Sequence, residues 1–211
     1  MRKKIDTTLY LVTNSTGRSE ENFLKILDEA CQAGVTMVQL REKERGGREY
    51  LHLAQAAKKV TDKYNIPLLI DDRVDVAIAC DCAGVHVGQS DIPVNVARKL
   101  LGPDKIVGAT AKTVPQAIEA YEQGADYLGV GAIYPTKTKV ITVITSIDHL
   151  KDICKAVPIP VNAIGGLKKE NIGVLKGSGI AGICVVSNIM EAKDPGQTTK
   201  ELKAAVKEII G

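Results

Sequence analysis

Eight short apolar runs recur along the chain, and each but the last is followed by a longer polar or amphipathic stretch before the next begins. The runs are Leu9 to Val12, Met37 to Leu40, Pro67 to Ile70, Gly84 to Val87, Ile106 to Ala109, Tyr127 to Val130, Pro160 to Ile164 and Gly182 to Val186. Runs of this length without polar alternation suit strands covered on both faces. Between them the clearest helices are Asn22 to Ala33 and Glu49 to Tyr64, with apolar residues at spacings of three and four, and Thr199 to Ile210 closes the chain. Glycine ends several helical stretches just before a strand, as in Gln32-Ala33-Gly34, Gln123-Gly124 and Lys176-Gly177-Ser178-Gly179. Eight β-then-α units predict an α/β fold, a single-domain (β/α)8 TIM barrel over residues 1–211. An open doubly wound sheet is the alternative, but no G-x-G-x-x-G follows the first strand and the alternation continues to the C-terminus.

Composition narrows the function. With 28 Lys+Arg against 25 Asp+Glu the net charge is +3 in 211 residues, with no basic stripe for a phosphate backbone. Aromatic residues make up 3%, with no Trp and only Phe23 among phenylalanines, so base-stacking platforms are scarce and no nucleic-acid partner is expected. The apolar run behind the basic Met1 to Ile5 is too short for a signal or membrane span, which predicts a cytoplasmic protein with no membrane partner. The five cysteines sit mostly in apolar runs and are expected to be free, and Cys80 and Cys82 lack a second Cys/His pair for zinc. No linker-like tract divides the chain.

Barrel chemistry sits at the C-terminal ends of the strands. After strand 2 come Gln39, Arg41 and Lys43, which share a direction if the extended geometry persists and suit a polyanion; a solvated loop is the plainer reading. Strand 3 ends in Asp71-Asp72, with Asp72 or Asp75 an alternative helix cap. Strand 4 delivers His86, Gln89 and Asp91. Carboxylates from neighbouring strand ends are hard oxygen ligands for Mg²⁺, which pairs Asp72 with Asp91. His86, flanked by valines, reads either as a buried core histidine or as a substrate contact. Strand 5 ends near Thr110 and Lys112. The polar stretch Thr136-Lys137-Thr138-Lys139 could wrap an anion as a lid. Gly165-Gly166 and Val186-Ser187 lie where barrels build phosphate sites. Together these strand ends describe a site for a diphosphate and Mg²⁺.

In order and combination, Tyr10-Leu11-Val12-Thr13, Gln39-Leu40-Arg41-Glu42-Lys43, Asp72-Arg73-Val74-Asp75, Gly84-Val85-His86-Val87-Gly88-Gln89, Gly129-Val130-Gly131-Ala132-Ile133-Tyr134-Pro135-Thr136 with Thr138-Lys139, and Ala163-Ile164-Gly165-Gly166 resemble the thiamine phosphate synthase family over almost the whole chain. The resemblance implies a Mg²⁺-dependent barrel that couples 4-amino-5-hydroxymethyl-2-methylpyrimidine diphosphate to 4-methyl-5-(2-phosphooxyethyl)thiazole, through early loss of diphosphate to a pyrimidine methylene cation. It implies Asp72 and Asp91 as metal ligands and Arg41, Lys43 and Lys139 as catalytic diphosphate cations. Gln39 and His86 are implied as pyrimidine contacts, with Asp71 and Thr110 beside them. Thr136, Thr138, Gly166, Val186 and Ser187 are implied to hold the thiazole phosphate.

The chain departs from that pattern at several positions. Asp71 stands for the usual Asn, Thr110 for Ser, Lys112 for a common His and Ala132 for a common Pro, while Val140 to Thr145 lacks the acidic residue expected after Lys139. The alternatives are a thiazole tautomerase on the same barrel and a non-catalytic phosphate-ligand-binding paralogue. Lys112 in place of an imidazole speaks against the first. The expected partners are the two small-molecule substrates, and a homo-oligomer is compatible with the sequence.

Overall fold

An apolar strand with no polar face needs cover on both sides, and a barrel wrapped by helices provides it. The computed structural model describes residues 5–135 and 143–210. Strands β1 (Leu9–Val12), β2 (Met37–Leu40), β3 (Leu68–Asp71), β4 (Gly84–Val87), β5 (Ile106–Ala111), β6 (Tyr127–Gly131), β7 (Val161–Ile164) and β8 (Gly182–Val185) close in sequence order into a parallel barrel. The seam joins β8 to β1, with Tyr10 opposite Cys184. Helices α1 (Glu20–Ala33), α2 (Gly47–Asp62), α3 (Val74–Ala79), α4 (Val94–Leu101), α5 (Val114–Glu122) and α6 (Ile147–Ala156) fill the connections between strands. A short α7 (Ser187–Met190) and α8 (Pro195–Ile210) follow the last strand. Between β7 and β8 the connection carries a 3₁₀ turn, Ile172–Leu175, in place of a full helix.

Local chemistry sets the boundaries. Ser19 starts α1 by accepting from Asn22 N at 3.2 Å, with Glu20 and Glu21 against the positive helix end. Gly34 ends the same helix at φ 109°, a left-handed position that a Cβ would oppose. The predicted strands beginning at Pro67 and Pro160 start one residue later, because proline has no N–H to give the ladder. The fifth strand runs two residues beyond the predicted end, to Ala111, so Thr110 lies inside it. Helix α8 begins at Pro195 rather than Thr199, since the missing proline N–H costs nothing in a first turn and Asp194 Oδ1 accepts from Gln197 N at 2.8 Å.

Alternation along each strand divides the core in two. Leu9, Leu11, Val38, Leu40, Ile70, Val85 and Val107 pack outward against the helices in one large cluster. Tyr10, Val12, Met37, Leu69, Ile106, Tyr127 and Cys184 form a second, smaller cluster in the lumen. All five cysteines are free, and among the described residues no helix is long and apolar enough to cross a membrane.

Candidate active site

The C-terminal mouth of the barrel opens into a cavity of about 650 Å³. Eleven of the fourteen residues singled out from sequence line it: Gln39, Arg41, Lys43, Asp71, Asp72, His86, Asp91, Thr110, Gly166, Val186 and Ser187. The remaining three, Thr136, Thr138 and Lys139, lie outside the described residues.

The segment after β2 is braced from behind. Arg41 N donates to Thr13 Oγ1 at 3.3 Å, and Glu42 turns away from the cavity to accept from Ser15 Oγ at 2.6 Å and Arg45 Nε at 2.8 Å. This keeps Arg41 and Lys43 facing inward on alternate residues, as the extended spacing predicts. Both side chains line the cavity, with that of Lys43 still 45% exposed on the loop after β2.

Two acidic positions meet these cations. Lys43 Nζ lies 3.0 Å from Asp71 Oδ2 and also pairs with Asp72 Oδ2, while Arg41 Nε stands 3.8 Å from Asp71. Asp72 has φ 60°, a left-handed turn that takes it out of the strand line, and its N–H is held by His86 O at 2.9 Å. Neither Asp72 nor Asp75 fills the helix-cap role: Arg73 is the N-cap of α3 with no side-chain cap bond, and Asp75 pairs with Arg73 Nε at 2.8 Å. Asp91 is oriented by Gly88 N, which donates to its Oδ2 at 2.7 Å.

The electrostatics show a crowded acidic group. Burial raises the Asp71 carboxyl above the usual range and outweighs the opposing pull of Lys43 and Arg41. Asp91 is also raised, first by burial and then by the Asp72 carboxylate beside it. Burial alone would lower Lys43, but its bonds to Asp72 and Asp71 hold its ammonium above the usual value. Asp71 Oδ2 is buried and has no well-aligned hydrogen bond despite its ion pairs. Asp72 and Asp91 stand side by side on the cavity wall as a hard-oxygen donor pair of the kind a divalent cation takes, and among the described residues no group of three or more His, Cys, Asp or Glu side chains gathers for a metal.

Asp71→Asn provides a direct check. Because the folded-state pKa of Asp71 is raised, the folded form binds a proton more readily than the unfolded chain, so stability is lost as pH rises through that pKa. The variant should melt higher than the parent at pH 7, with the gain shrinking towards pH 4, and should keep or improve its activity. A lower melting temperature at pH 7 would mean that the ion pairs with Lys43 and Arg41 outweigh the burial cost.

Below the charged mouth lies a floor that the sequence did not disclose. Gln39 Nε2 donates to Tyr10 Oη at 2.7 Å, Tyr10 Oη lies 2.7 Å from Tyr127 Oη, and Tyr127 Oη lies 2.9 Å from His86 Nδ1. His86 Nε2 lies 2.9 Å from Thr110 Oγ1. Burial drives the His86 pKa down to about 4, so the ring is neutral at physiological pH. His86 is thus buried and fully partnered, as a core histidine is, and it also lines the cavity. In the sequence Tyr10 and Tyr127 read as members of apolar strands, with Tyr10 also part of a family motif, and neither reads as a floor residue.

A (β/α)8 barrel whose mouth gathers carboxylates and cations over a neutral polar floor has the architecture of a barrel enzyme's active site. Residues 9–189 match the family model of thiamine monophosphate synthase. The chain is 56% identical over 186 residues to thiamine-phosphate synthase 2 of Streptococcus pneumoniae, covering 88% of this chain and 89% of the relative. It is 51% identical over 210 residues to the thiamine-phosphate synthase of Enterococcus faecalis, covering 100% and 98%. The solved thiamine phosphate pyrophosphorylase from Pyrococcus furiosus superposes with a TM-score of 0.88 at 35% identity, over 98% of each chain. The chain belongs to the thiamine monophosphate synthase family and is a transferase of thiamine biosynthesis. Identity at this level supports the synthase over the tautomerase and binding-only alternatives.

Proposed function

We propose that the chain couples 4-amino-5-hydroxymethyl-2-methylpyrimidine diphosphate to 4-methyl-5-(2-phosphooxyethyl)thiazole, giving thiamine phosphate and diphosphate, with Mg²⁺ held by Asp72 and Asp91, in the cytoplasm. The observation that carries this reading is the placement of Arg41 and Lys43 within ion-pair distance of the Asp71 and Asp72 carboxylates, on the wall of a cavity whose floor is neutral. Charge on the diphosphate would meet the mouth, and the flat heterocycle would meet Gln39, His86 and Thr110.

In this reading the C–O bond to diphosphate breaks with its electron pair leaving on oxygen, and the thiazole nitrogen lone pair then forms the C–N bond. No proton has to be removed from that nitrogen, which suits a floor whose only imidazole is neutral and already occupied. Arg41 and Lys43 stabilise the charge that grows on the leaving group. Bound Mg²⁺ supplies further neutralisation of that charge. Gly166, Val186 and Ser187 line the wall expected to receive the thiazole phosphate.

Purified protein supplied with both substrates should release thiamine phosphate and diphosphate in equal amounts. A chelator should abolish both products, and added Mg²⁺ should restore them. Binding of both substrates with no coupled product in the presence of Mg²⁺ would overturn the proposal.

A further inference from the structure

The hydrogen bonds across the barrel floor have a direction. An amide nitrogen only donates, so Tyr10 Oη accepts from Gln39 Nε2 and must give its own proton elsewhere. Among the described residues its other partner is Tyr127 Oη, 2.7 Å away. Tyr127 then accepts from Tyr10 and passes its own proton to His86 Nδ1 at 2.9 Å. A ring nitrogen that accepts carries no proton, so a neutral His86 holds its proton on Nε2 and donates to Thr110 Oγ1 at 2.9 Å. The hydroxyl proton of Thr110 is left to face the cavity that this residue lines.

The geometry gives Tyr127 little freedom. Its side chain is fully buried, and Tyr10 packs edge-on against it with ring centroids 5.6 Å apart. Gly108 lies so close on the neighbouring strand that a Cβ there would be 2.1 Å from Tyr127 Cζ. The ring therefore fills space left by a missing side chain, and its hydroxyl is fixed between Tyr10 and His86.

We infer that Tyr127 is a positioning residue which, acting through His86, fixes the Nε2–H tautomer and makes Thr110 a hydrogen-bond donor to a ring nitrogen of the bound pyrimidine. This rests on the function proposed above for the ligand's identity, but the direction of the relay does not. The opposite direction, with the Gln39 amide reversed, would put the His86 proton on Nδ1 and leave Thr110 donating to the histidine. The donor in the cavity would then be lost.

The test begins with the unaltered protein. Nitrogen-15 spectra of histidine-labelled enzyme, with His52 and His149 assigned by their Asn variants, should show His86 protonated on Nε2 and bare on Nδ1. Tyr127→Phe keeps the ring and removes the hydroxyl, so His86 should lose this single-tautomer signature. In the same variant KM for the pyrimidine diphosphate should rise by about 5- to 10-fold, the loss of roughly one hydrogen bond, with a smaller change in kcat. Thr110→Val should raise KM to a similar extent, and Thr110→Ser should recover most of it. A His86 ring protonated on Nδ1, or on both nitrogens, in the parent overturns the inference even if the variant fails to fold. So does a Tyr127→Phe protein with parental tautomer and parental KM. If the parent forms no product while the Nε2–H signature stands, it is the proposed function that fails, not the relay.

Discussion

Asp91→Ala should lose turnover by about 10³-fold or more, equivalent to ~4 kcal/mol of transition-state stabilisation, while the protein stays folded. The argument is electrostatic. Burial first, and then the Asp72 carboxylate beside it, raise the cost of ionising Asp91, an arrangement that makes sense when a cation sits between the two side chains. Alanine removes half of that donor set and leaves the departing diphosphate with Arg41 and Lys43 but a weakened metal clamp. Two effects on folding oppose each other: relief of carboxylate repulsion stabilises, and loss of the bond from Gly88 N to Asp91 Oδ2 costs about 1 kcal/mol. The melting temperature should therefore move little, which separates lost chemistry from lost fold. Steady-state rates across a Mg²⁺ titration, alongside thermal melts, make the check. Activity within tenfold of the parent would remove Asp91 from the metal site.

Gly108→Ala is expected to act in the reverse sense, through the fold first. The added methyl would stand 2.1 to 2.3 Å from Tyr127 Cζ, Cε1 and Oη, inside a fully buried cluster. Overpacking of this kind costs about 1–3 kcal/mol, and towards the upper end where the neighbour is pinned on both sides as Tyr127 is. Denaturant melts should show the loss. Tyr127→Leu in the same chain should return most of the stability without returning the parental KM, because it makes room but restores no hydroxyl. A single variant as stable as the parent would show that the floor can shift and that Tyr127 is not pinned.

The charged mouth was legible in the sequence because its residues interrupt apolar runs. Gln39 lies in the last two residues of β2 with Arg41 and Lys43 just beyond it, and Asp71 ends β3 with Asp72 next, so each announces itself at a strand end. The same contrast placed Asp91, Gly166 and Ser187 on the cavity wall. The floor was hidden for a physical reason. Strands apolar on both faces give no sign of which residues look into the lumen, so Tyr10 and Tyr127 read like their neighbours until the barrel closes. Thr110 was recognised by its position after a strand, yet it meets His86 only because β5 continues to Ala111.

Lys43 brings a competitor into the site. Its ammonium already pairs with Asp72, the carboxylate proposed above to hold the metal, and it also touches Asp71. A cation arriving alone must evict a covalently tethered rival whose effective concentration never falls. A diphosphate arriving with it offers Lys43 a new partner, and the eviction then costs far less. At the proposed site, metal affinity would therefore be conditional on the substrate, and the resting protein would be buffered against divalent ions that come without one.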